Sequence, residues 1–507
     1  MAPSDTKYDI AIIGGGINGA GIARDAAGRG YRVLLAEKGD LAQGTSSGST
    51  KLIHGGLRYL EHYQFRLVRE ALQERDVLLR SAPHIIWPLR FVLPVDRAMR
   101  PAWLIRAGLF LYDHIGGRQR LGGTRRLDLT RDPAGAPLKQ GPATAFEYAD
   151  CWVDDARLVV LNAVDAAARG AVVQTRTRVV RAAPETGGAG QWVLTLEDVS
   201  SGAERHVSAR VLVNAGGPWL DAVARDVVGD NNAARLRLVR GSHIVVPRLF
   251  DHDKSYTFQN ADGRVVFAIP YETHFTLLGT TEVDTQDDPG AAQMSADERD
   301  YLLGVANSRF RRQLTATDIV WSYAAVRPLV DGGGGNARDE SRDYKIDVSR
   351  HGDAMLVAIA GGKITTYRRL AENVIGLIDK ALGRHTEAWT GSAALPGGDF
   401  DPDDVQGEIR RLASAYPFLA PDTCRRLVRT YGTLASDMLG DARCLEDLGE
   451  AFGGGLTARE VCYCVEREWA RDVEDIVWRR TKLGLVLTSD QHRRLGDFLG
   501  DRVHSKT

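Results

Sequence analysis

Cysteine is scarce in this 507-residue chain, and the five present, Cys151, Cys424, Cys444, Cys462 and Cys464, form no C-x-x-C pair and no metal-ligand spacing with histidine. That argues against a disulfide framework or a zinc site and fits a reducing compartment. A charge excess is missing too. The net charge is −1, so no global field favours nucleic acid, and any basic surface must be local. No run approaches the roughly 18–20 uncharged residues of a membrane-spanning helix. The opening MAPSDTK lacks the apolar core of a signal peptide, so the amino end is expected in the cytoplasm. No repeat of roughly 20–50 residues is visible, and the glycine-rich runs at 187–190 and 332–335 read as loop tips. At 44% apolar and 26% charged, the composition is that of a globular chain with room for two or three domains.

What is present begins at Tyr8. YDIAIIGGGINGAGIARDAAGRGYRVLLAEKGD reads as strand, G-x-G-x-x-G turn (Gly14, Gly16, Gly19), alanine-rich helix, second strand and terminal acid, Glu37. Gly14 permits the tight turn, Gly16 lets backbone N–H groups approach a pyrophosphate, and Gly19 lets helix and sheet close. The helix N-terminus favours the phosphates, and Glu37 stands where an acid would bond a ribose. This unit alone leaves FAD and NAD open. Directly after it comes TSSGSTKLIHGGLRYLEHY, with Thr45, Ser46, Ser47, Ser49 and Thr50 supplying hydroxyls for a pyrophosphate and an extended flavin, and His54 followed by a glycine pair that admits a flat ring. Such a segment favours FAD.

Two later stretches repeat the design. ARVLVNAGGPWLDAVA (209–224) brings Gly216 and Gly217 to the end of a buried strand. AMLVAIAGGKITTYRRLAENVIGLI (354–378) does the same with Gly361 and Gly362, followed by Lys363, a cation suited to the flavin N1–C2=O edge. Three such segments spread along the chain imply one discontinuous nucleotide domain with an insertion. Between Asp96 and Arg131, eight arginines stand against three aspartates, interleaved with Trp103, Leu104, Ile105, Leu109, Phe110, Leu111 and Tyr112. That mixture fits a segment lying on an anionic lipid surface. From about Gly391 helical spacing prevails, and Trp469, Val473, Ile476 and Val477 fall on one face as core.

These motifs, with RPAWLIRAGLFLYDHIG, FEYADCWVDDARLV, GSHIVVP, GTTEVD and AAVRPL, span nearly the whole chain. It resembles the FAD-dependent, respiratory glycerol-3-phosphate dehydrogenases of bacteria, within the D-amino-acid-oxidase-like flavoproteins. The resemblance implies an α/β, Rossmann-like FAD domain in three parts (1–85, 148–238, 327–388), a cap or membrane-facing segment at 86–147, and an inserted α+β antiparallel-sheet substrate cap at 239–326. A C-terminal all-helical domain follows at 389–507. It implies oxidation of sn-glycerol 3-phosphate to dihydroxyacetone phosphate, hydride passing from C2 to flavin N5 and electrons to a membrane quinone. It further implies a homodimer on the cytoplasmic face of a bacterial inner membrane, against anionic lipid. The alternatives are a glycerol-3-phosphate oxidase using oxygen and a non-catalytic flavin-binding scaffold or sensor.

By the same resemblance His243, Arg327 and Lys363 are catalytic, while Arg58, Tyr59, Thr280, Thr281 and Arg342 bind substrate. The cofactor set is Gly14, Gly16, Asn18, Gly19, Glu37, Lys38, Thr45, Ser46, Ser47, Ser49, Lys51, Leu52, His54, Gly55, Val179, Ala215, Gly216, Gly361, Gly362, Lys363 and Thr365. Arginine suits phosphate through its planar fork, and an imidazole at 243 is expected to accept the hydroxyl proton. The glycine-rich tip at 332–336 departs from the family pattern, and no role is assigned to it.

Overall fold

The apolar run that opens the chain becomes the strand Lys7–Ile13, buried from Tyr8 onward. It can be apolar on both faces because it lies inside a parallel sheet covered on both sides. The computed structural model describes residues 7–61, 63–96, 100–117, 120–139, 142–185, 190–230, 236–330 and 344–504. Lys7–Ile13 pairs in parallel with Val33–Ala36 on one side and with Glu204–Asn214 on the other. Glu204–Asn214 in turn pairs in parallel with Ala354–Ala360, and Val33–Ala36 with Val172–Gln174. The register sets Ile13 opposite Asn214, and Asn214 opposite Ala358. Three segments far apart in sequence therefore deliver their glycine turns to one edge of an eight-stranded sheet. Helices Ile17–Gly28 and Asp155–Ala168 pack on it through alanine-rich faces and Tyr367–Leu382 through Leu370, Val374, Ile375 and Ile378, sharing a core with Ile10, Ile12, Val211 and Val357.

A ten-stranded, mostly antiparallel sheet carries the insertion. Its strands include Ile86–Pro94, Thr144–Val153, Leu236–Pro247, Val265–Tyr271, Phe275–Gly279 and Trp321–Val330. Thr144–Val153 straddles the expected division at 147/148 and pairs along its length with Ile86–Pro94; Trp321–Val330 straddles 326/327 and pairs with Leu236–Pro247. Even Leu52–Ile53, within the first nucleotide segment, belongs to this sheet. The hydroxyl-rich stretch thus bridges the two sheets.

The C-terminal domain is helical, with its own core around Leu412, Leu427, Val428, Phe452, Val461 and Ile476. That is the helical domain expected, with one short two-stranded hairpin, Ala451–Gly453 with Leu456–Thr457, among its helices. Ile476 and Val477 are buried as expected, but Trp469 packs on the nucleotide-domain core instead. The helical path is interrupted after Ala458–Arg467 and resumes as a short π-helical segment, Asp475–Arg480. The basic aromatic segment forms the helix Ala102–Ile115, whose buried residues are Leu109 and Tyr112. Trp103 is 71% exposed and Phe110 64%, and Tyr63 is exposed as well, at 80%. Among the described residues no helix is long and apolar enough to cross a membrane.

Candidate active site

Gly14 leaves the first strand with φ +108°, and a Cβ there would stand 2.6 Å from the Ala215 carbonyl oxygen. Only glycine meets both demands without strain. A Cβ at Gly19 would stand 1.9 Å from the Gly14 carbonyl, so Gly19 serves helix-to-turn packing and lies behind the cleft wall. The helix Ile17–Gly28 begins at Gly16, which has no side chain to cap it, and no acid stands in its first turn. Its N-terminus is therefore electrostatically available to phosphate. Glu37 closes the unit by accepting from Gly15 N (2.6 Å) and Gly39 N (2.7 Å). Burial pushes its carboxyl up, against the pull of those two amides.

From this turn a cleft of ≈1370 Å³ runs between the two sheets. A typical small-molecule pocket is about 300–1,000 Å³, so there is room for an extended dinucleotide and a substrate. Its walls include Gly14, Gly16, Asn18, Glu37, Lys38, Leu52, His54, Val179, Ala215, Gly216, Gly361, Gly362 and Lys363. Asn18 Nδ2 also donates to the Gly361 carbonyl (3.2 Å), tying the first glycine turn to the third. A helix start free of acid, the buried Glu37 and three glycine turns on one cleft fit FAD.

The hydroxyl segment is used differently from the expectation. Thr45, Ser46, Ser49 and Thr50 line the cleft, but their hydroxyls also bond protein. Thr45 Oγ1 donates to the Val326 carbonyl (2.6 Å), Ser46 Oγ accepts from Ile17 N (3.0 Å), and Ser49 Oγ donates to Asp155 (2.7 Å). They pin the cradle as well as facing it. Ser47, Lys51, Gly55 and Thr365 do not line it. Lys51 is corrected from cofactor ligand to buried anchor: it is 1% exposed, with Nζ on Asp155 Oδ1 (2.8 Å) and the Ser47 carbonyl (3.0 Å). A buried ammonium requires such a partner. Gly55 N donates to Asp150 (3.3 Å), and Thr365 Oγ1 accepts from His54 N (3.3 Å), both from behind the wall.

Arg58, Tyr59, Thr280, Arg327 and Lys363 share the cleft. Lys363 Nζ lies 3.7 Å from the centre of the Tyr59 ring, and Arg327 Nη2 donates to Thr280 Oγ1 (2.9 Å). Thr281, in contrast, is fully buried. Its hydroxyl donates to Glu298 (2.6 Å) and accepts from Ser242 N (2.8 Å). Just past the end of the strand Phe275–Gly279, Thr280 thus reaches the cleft and Thr281 the interior of the cap. Arg342 lies outside the described residues, as does the tip at 332–336.

His243 also departs from the expectation. It is fully buried and forms no part of the cleft wall. Its ring stacks on Tyr323 (4.7 Å, 13°), and Nε2 meets Thr50 Oγ1 (3.0 Å). Burial, reinforced by Arg327 and Lys51, holds its basicity well below the ordinary imidazole value. The weakly basic ring bonds the Thr50 hydroxyl, and it is Thr50 that lines the cleft.

Sequence reasoning assigned no role to Glu282, which lines the cleft with a carboxylate 3.5 Å from Arg327 Nη1. It also passed over Trp219, whose ring receives Lys38 Nζ at 4.1 Å. Both stood inside quoted motifs, GTTEVD and VNAGGPW, where the glycines, threonines and basic residues drew attention. An apolar arm of the cleft, walled by Phe91, Leu93, Tyr148 and Phe267, runs to Leu104, Ile105 and Leu111 of the exposed helix. Its residues lie on four separate elements, so no local pattern reveals it.

Comparison with known proteins agrees with this geometry. A family model for FAD-dependent oxidoreductases matches residues 9–368, and one for the C-terminal domain of alpha-glycerophosphate oxidase matches residues 388–497. The chain is 50% identical over 499 residues to a glycerol-3-phosphate dehydrogenase of Pseudomonas aeruginosa, covering 98% of this chain and 96% of that protein. It is also 50% identical over 490 residues to a D-erythritol 1-phosphate dehydrogenase of Brucella abortus, covering 96% of each. The solved glycerol-3-phosphate dehydrogenase of Bacillus halodurans, complexed with FAD, superposes with a TM-score of 0.76 at 27% identity, covering 98% of this chain and 95% of that one.

Proposed function

The chain belongs to the FAD-dependent oxidoreductase family, and on that premise we propose that it oxidises sn-glycerol 3-phosphate to dihydroxyacetone phosphate and passes the electrons to a membrane quinone. The observation carrying this reading is the convergence of Arg58, Arg327 and Lys363 with Tyr59 and Thr280 on the cleft that the glycine turns open. FAD held by the glycine turns at Gly14, Gly216 and Gly361 would supply the two-electron acceptor for the C2 hydride and the relay to the quinone.

The chain's own residues do the rest. The cations hold the phosphate dianion, arginine through its fork and lysine as a point charge. A guanidinium stays protonated, so Arg327 lowers the pKa of the alcohol by its field and removes no proton. Glu282, beside it, is placed to take the hydroxyl proton, a task the weakly basic His243 is poorly suited to. Fixing the polyol phosphate against these groups supplies the orientation that the reaction needs.

The acceptor reading rests on the apolar arm. Leu104 and Leu111 line it and are also exposed on the helix Ala102–Ile115. Arg100, Arg106, Arg125 and Arg126 are exposed nearby in sequence. Apolar side chains with a basic surround suit the headgroup region of an anionic membrane, from which a quinone enters the arm. Initial rates with a short-chain quinone test both halves. Turnover with glycerol 3-phosphate well above that with D-erythritol 1-phosphate or glycerol, and faster with quinone than with oxygen alone, supports the reading. Preference for the four-carbon phosphate reassigns the substrate, and equal rates with oxygen reassign the acceptor.

A further inference from the structure

The π-helical segment Asp475–Arg480 belongs to the C-terminal domain, yet its side chains reach out of it. Arg480 Nη1 and Nη2 donate to Asp40 Oδ2 and Oδ1, both at 2.7 Å, and Arg479 Nε adds a third bond to Asp40 Oδ2 at 2.6 Å. The Asp40 and Arg480 side chains are both wholly excluded from solvent. Asp40 is not part of the cleft wall, but its neighbours are: Glu37, Lys38, Gly39, Gln43 and Gly44 all line it. Asp40 N donates to Gln43 Oε1 (2.8 Å), closing that loop. The back of the same loop is held by Arg176, whose N–H donates to the Gly39 carbonyl (3.0 Å) while its guanidinium bonds Asp475 (2.7 Å).

Two more contacts leave the same short stretch. Lys482 Nζ donates to Asp154 Oδ1 (3.0 Å), next to the Asp155 that holds Lys51 and Ser49 of the flavin cradle. Trp478 stacks on Trp321 (4.1 Å, 9°), and Trp321 packs at 4.9 Å against Tyr323, the residue stacked on His243. One segment of the C-terminal domain therefore braces the ribose-side loop, the hydroxyl segment and the cap strand.

We infer that residues 475–482 form a clamp on the FAD cleft, with Arg480 a positioning residue that acts through Asp40 to hold the Glu37–Gly44 wall around the cofactor. FAD retention is then a function of the C-terminal domain, which contributes none of the described residues that line the cleft. Burial makes the contact consequential. Removing Arg480 takes away the bidentate pair and leaves the buried Asp40 carboxylate with the one bond from Arg479, under-neutralised, so the loop that carries Asp40 must shift to hydrate it. The inference rests on FAD occupying this cleft and is independent of the substrate.

The test is FAD release from the full-length holoenzyme, followed as the rise of flavin fluorescence on dilution. Arg480→Met is expected to release FAD about 10-fold faster or more, in line with the cost of under-neutralising a buried charge. Arg479→Met, which leaves the bidentate pair standing, is expected to fall between that variant and the parent. Arg426→Met is the control: it breaks the Arg426–Glu460 pair (2.6 Å) inside the C-terminal domain, remote in contact from the nucleotide loop, and should leave release at the parent rate. If Arg480→Met does not fold, the comparison of Arg479→Met with Arg426→Met decides. Parent-like release in the Arg479 and Arg480 variants overturns the clamp while leaving the FAD assignment intact, and so does equal acceleration in all three, since that is general loosening. A parent protein without flavin would instead overturn the FAD assignment.

Discussion

Replacing Thr280 and Thr281 one at a time by valine separates two roles that sit one residue apart. Valine matches threonine in shape, so neither change opens a cavity; only hydroxyl bonds are lost. At Thr281 the lost bonds are one donated to the buried Glu298 carboxylate and one accepted from the buried Ser242 amide. A hydrogen bond to a charged group contributes about 1.5–3 kcal/mol, and a stranded buried amide costs about 1–3 kcal/mol. The two share one hydroxyl and do not add fully, so Thr281→Val should destabilise by about 2–4 kcal/mol. At roughly 2–4 °C per kcal/mol, that is a fall in Tm of several degrees, with kcat/KM near the parent value. At Thr280 the hydroxyl meets Arg327 at the half-exposed cleft wall. Thr280→Val should leave Tm within about 2 °C but cost about 1.5–3 kcal/mol of transition-state binding, a fall of about 10- to 150-fold in kcat/KM. Thermal melts of the holoenzymes and initial rates with glycerol 3-phosphate read both effects. The opposite pattern, with activity lost at 281 and stability at 280, would refute the orientation assigned to this turn.

Arg327→Ala should retain FAD yet lose about 2–5 kcal/mol in kcat/KM; unchanged kinetics would remove Arg327 from the substrate site. Glu282→Gln should lower kcat by about 100-fold or more if this carboxylate accepts the proton, and a larger loss in His243→Gln would return that role to the histidine. Gly14→Ala should be purified largely free of flavin, because its Cβ meets the Ala215 carbonyl and its φ is positive; a fully yellow variant would refute the turn's role. His84 is buried, with neither ring nitrogen hydrogen-bonded among the described residues, and burial lowers its pKa to about 3. The unfolded chain takes up a proton below about pH 6.5 and the folded chain does not, so stability falls with pH through that window, by about 2 kcal/mol at pH 5 for 1.5 units at 1.36 kcal/mol each. His84→Leu should lose correspondingly less Tm between pH 8 and pH 5, and an unchanged slope would refute the linkage. Flotation should show stronger binding to anionic than to neutral vesicles at low salt; equal binding would separate the exposed helix from lipid attraction.

The nucleotide unit was legible because its logic is local: a glycine turn, a helix start and an acid lie within 37 residues, and each imposes its own residue type. The three glycine turns could be joined into one site without coordinates, since strand ends of an α/β sheet share an edge. What escaped depends on partners remote in sequence. Lys51 reads as a ligand until Asp155, 104 residues on, is seen to neutralise it. Asp40 reads as a loop acid until Arg480, 440 residues on, is placed against it. Thr280 and Thr281 are indistinguishable in sequence because the pattern does not say which of two adjacent hydroxyls faces the cleft. His243 carries the right chemistry for a base, and only its burial shows that it stands one hydroxyl away.

An anaerobic titration tests the central claim most directly: the purified protein is mixed with glycerol 3-phosphate, D-erythritol 1-phosphate or glycerol while its visible spectrum is recorded. Loss of the bound flavin's absorbance on adding glycerol 3-phosphate, at concentrations where the other two leave the spectrum unchanged, is the predicted result. A flavin spectrum that no polyol phosphate alters would contradict the assignment of the cationic wall to substrate.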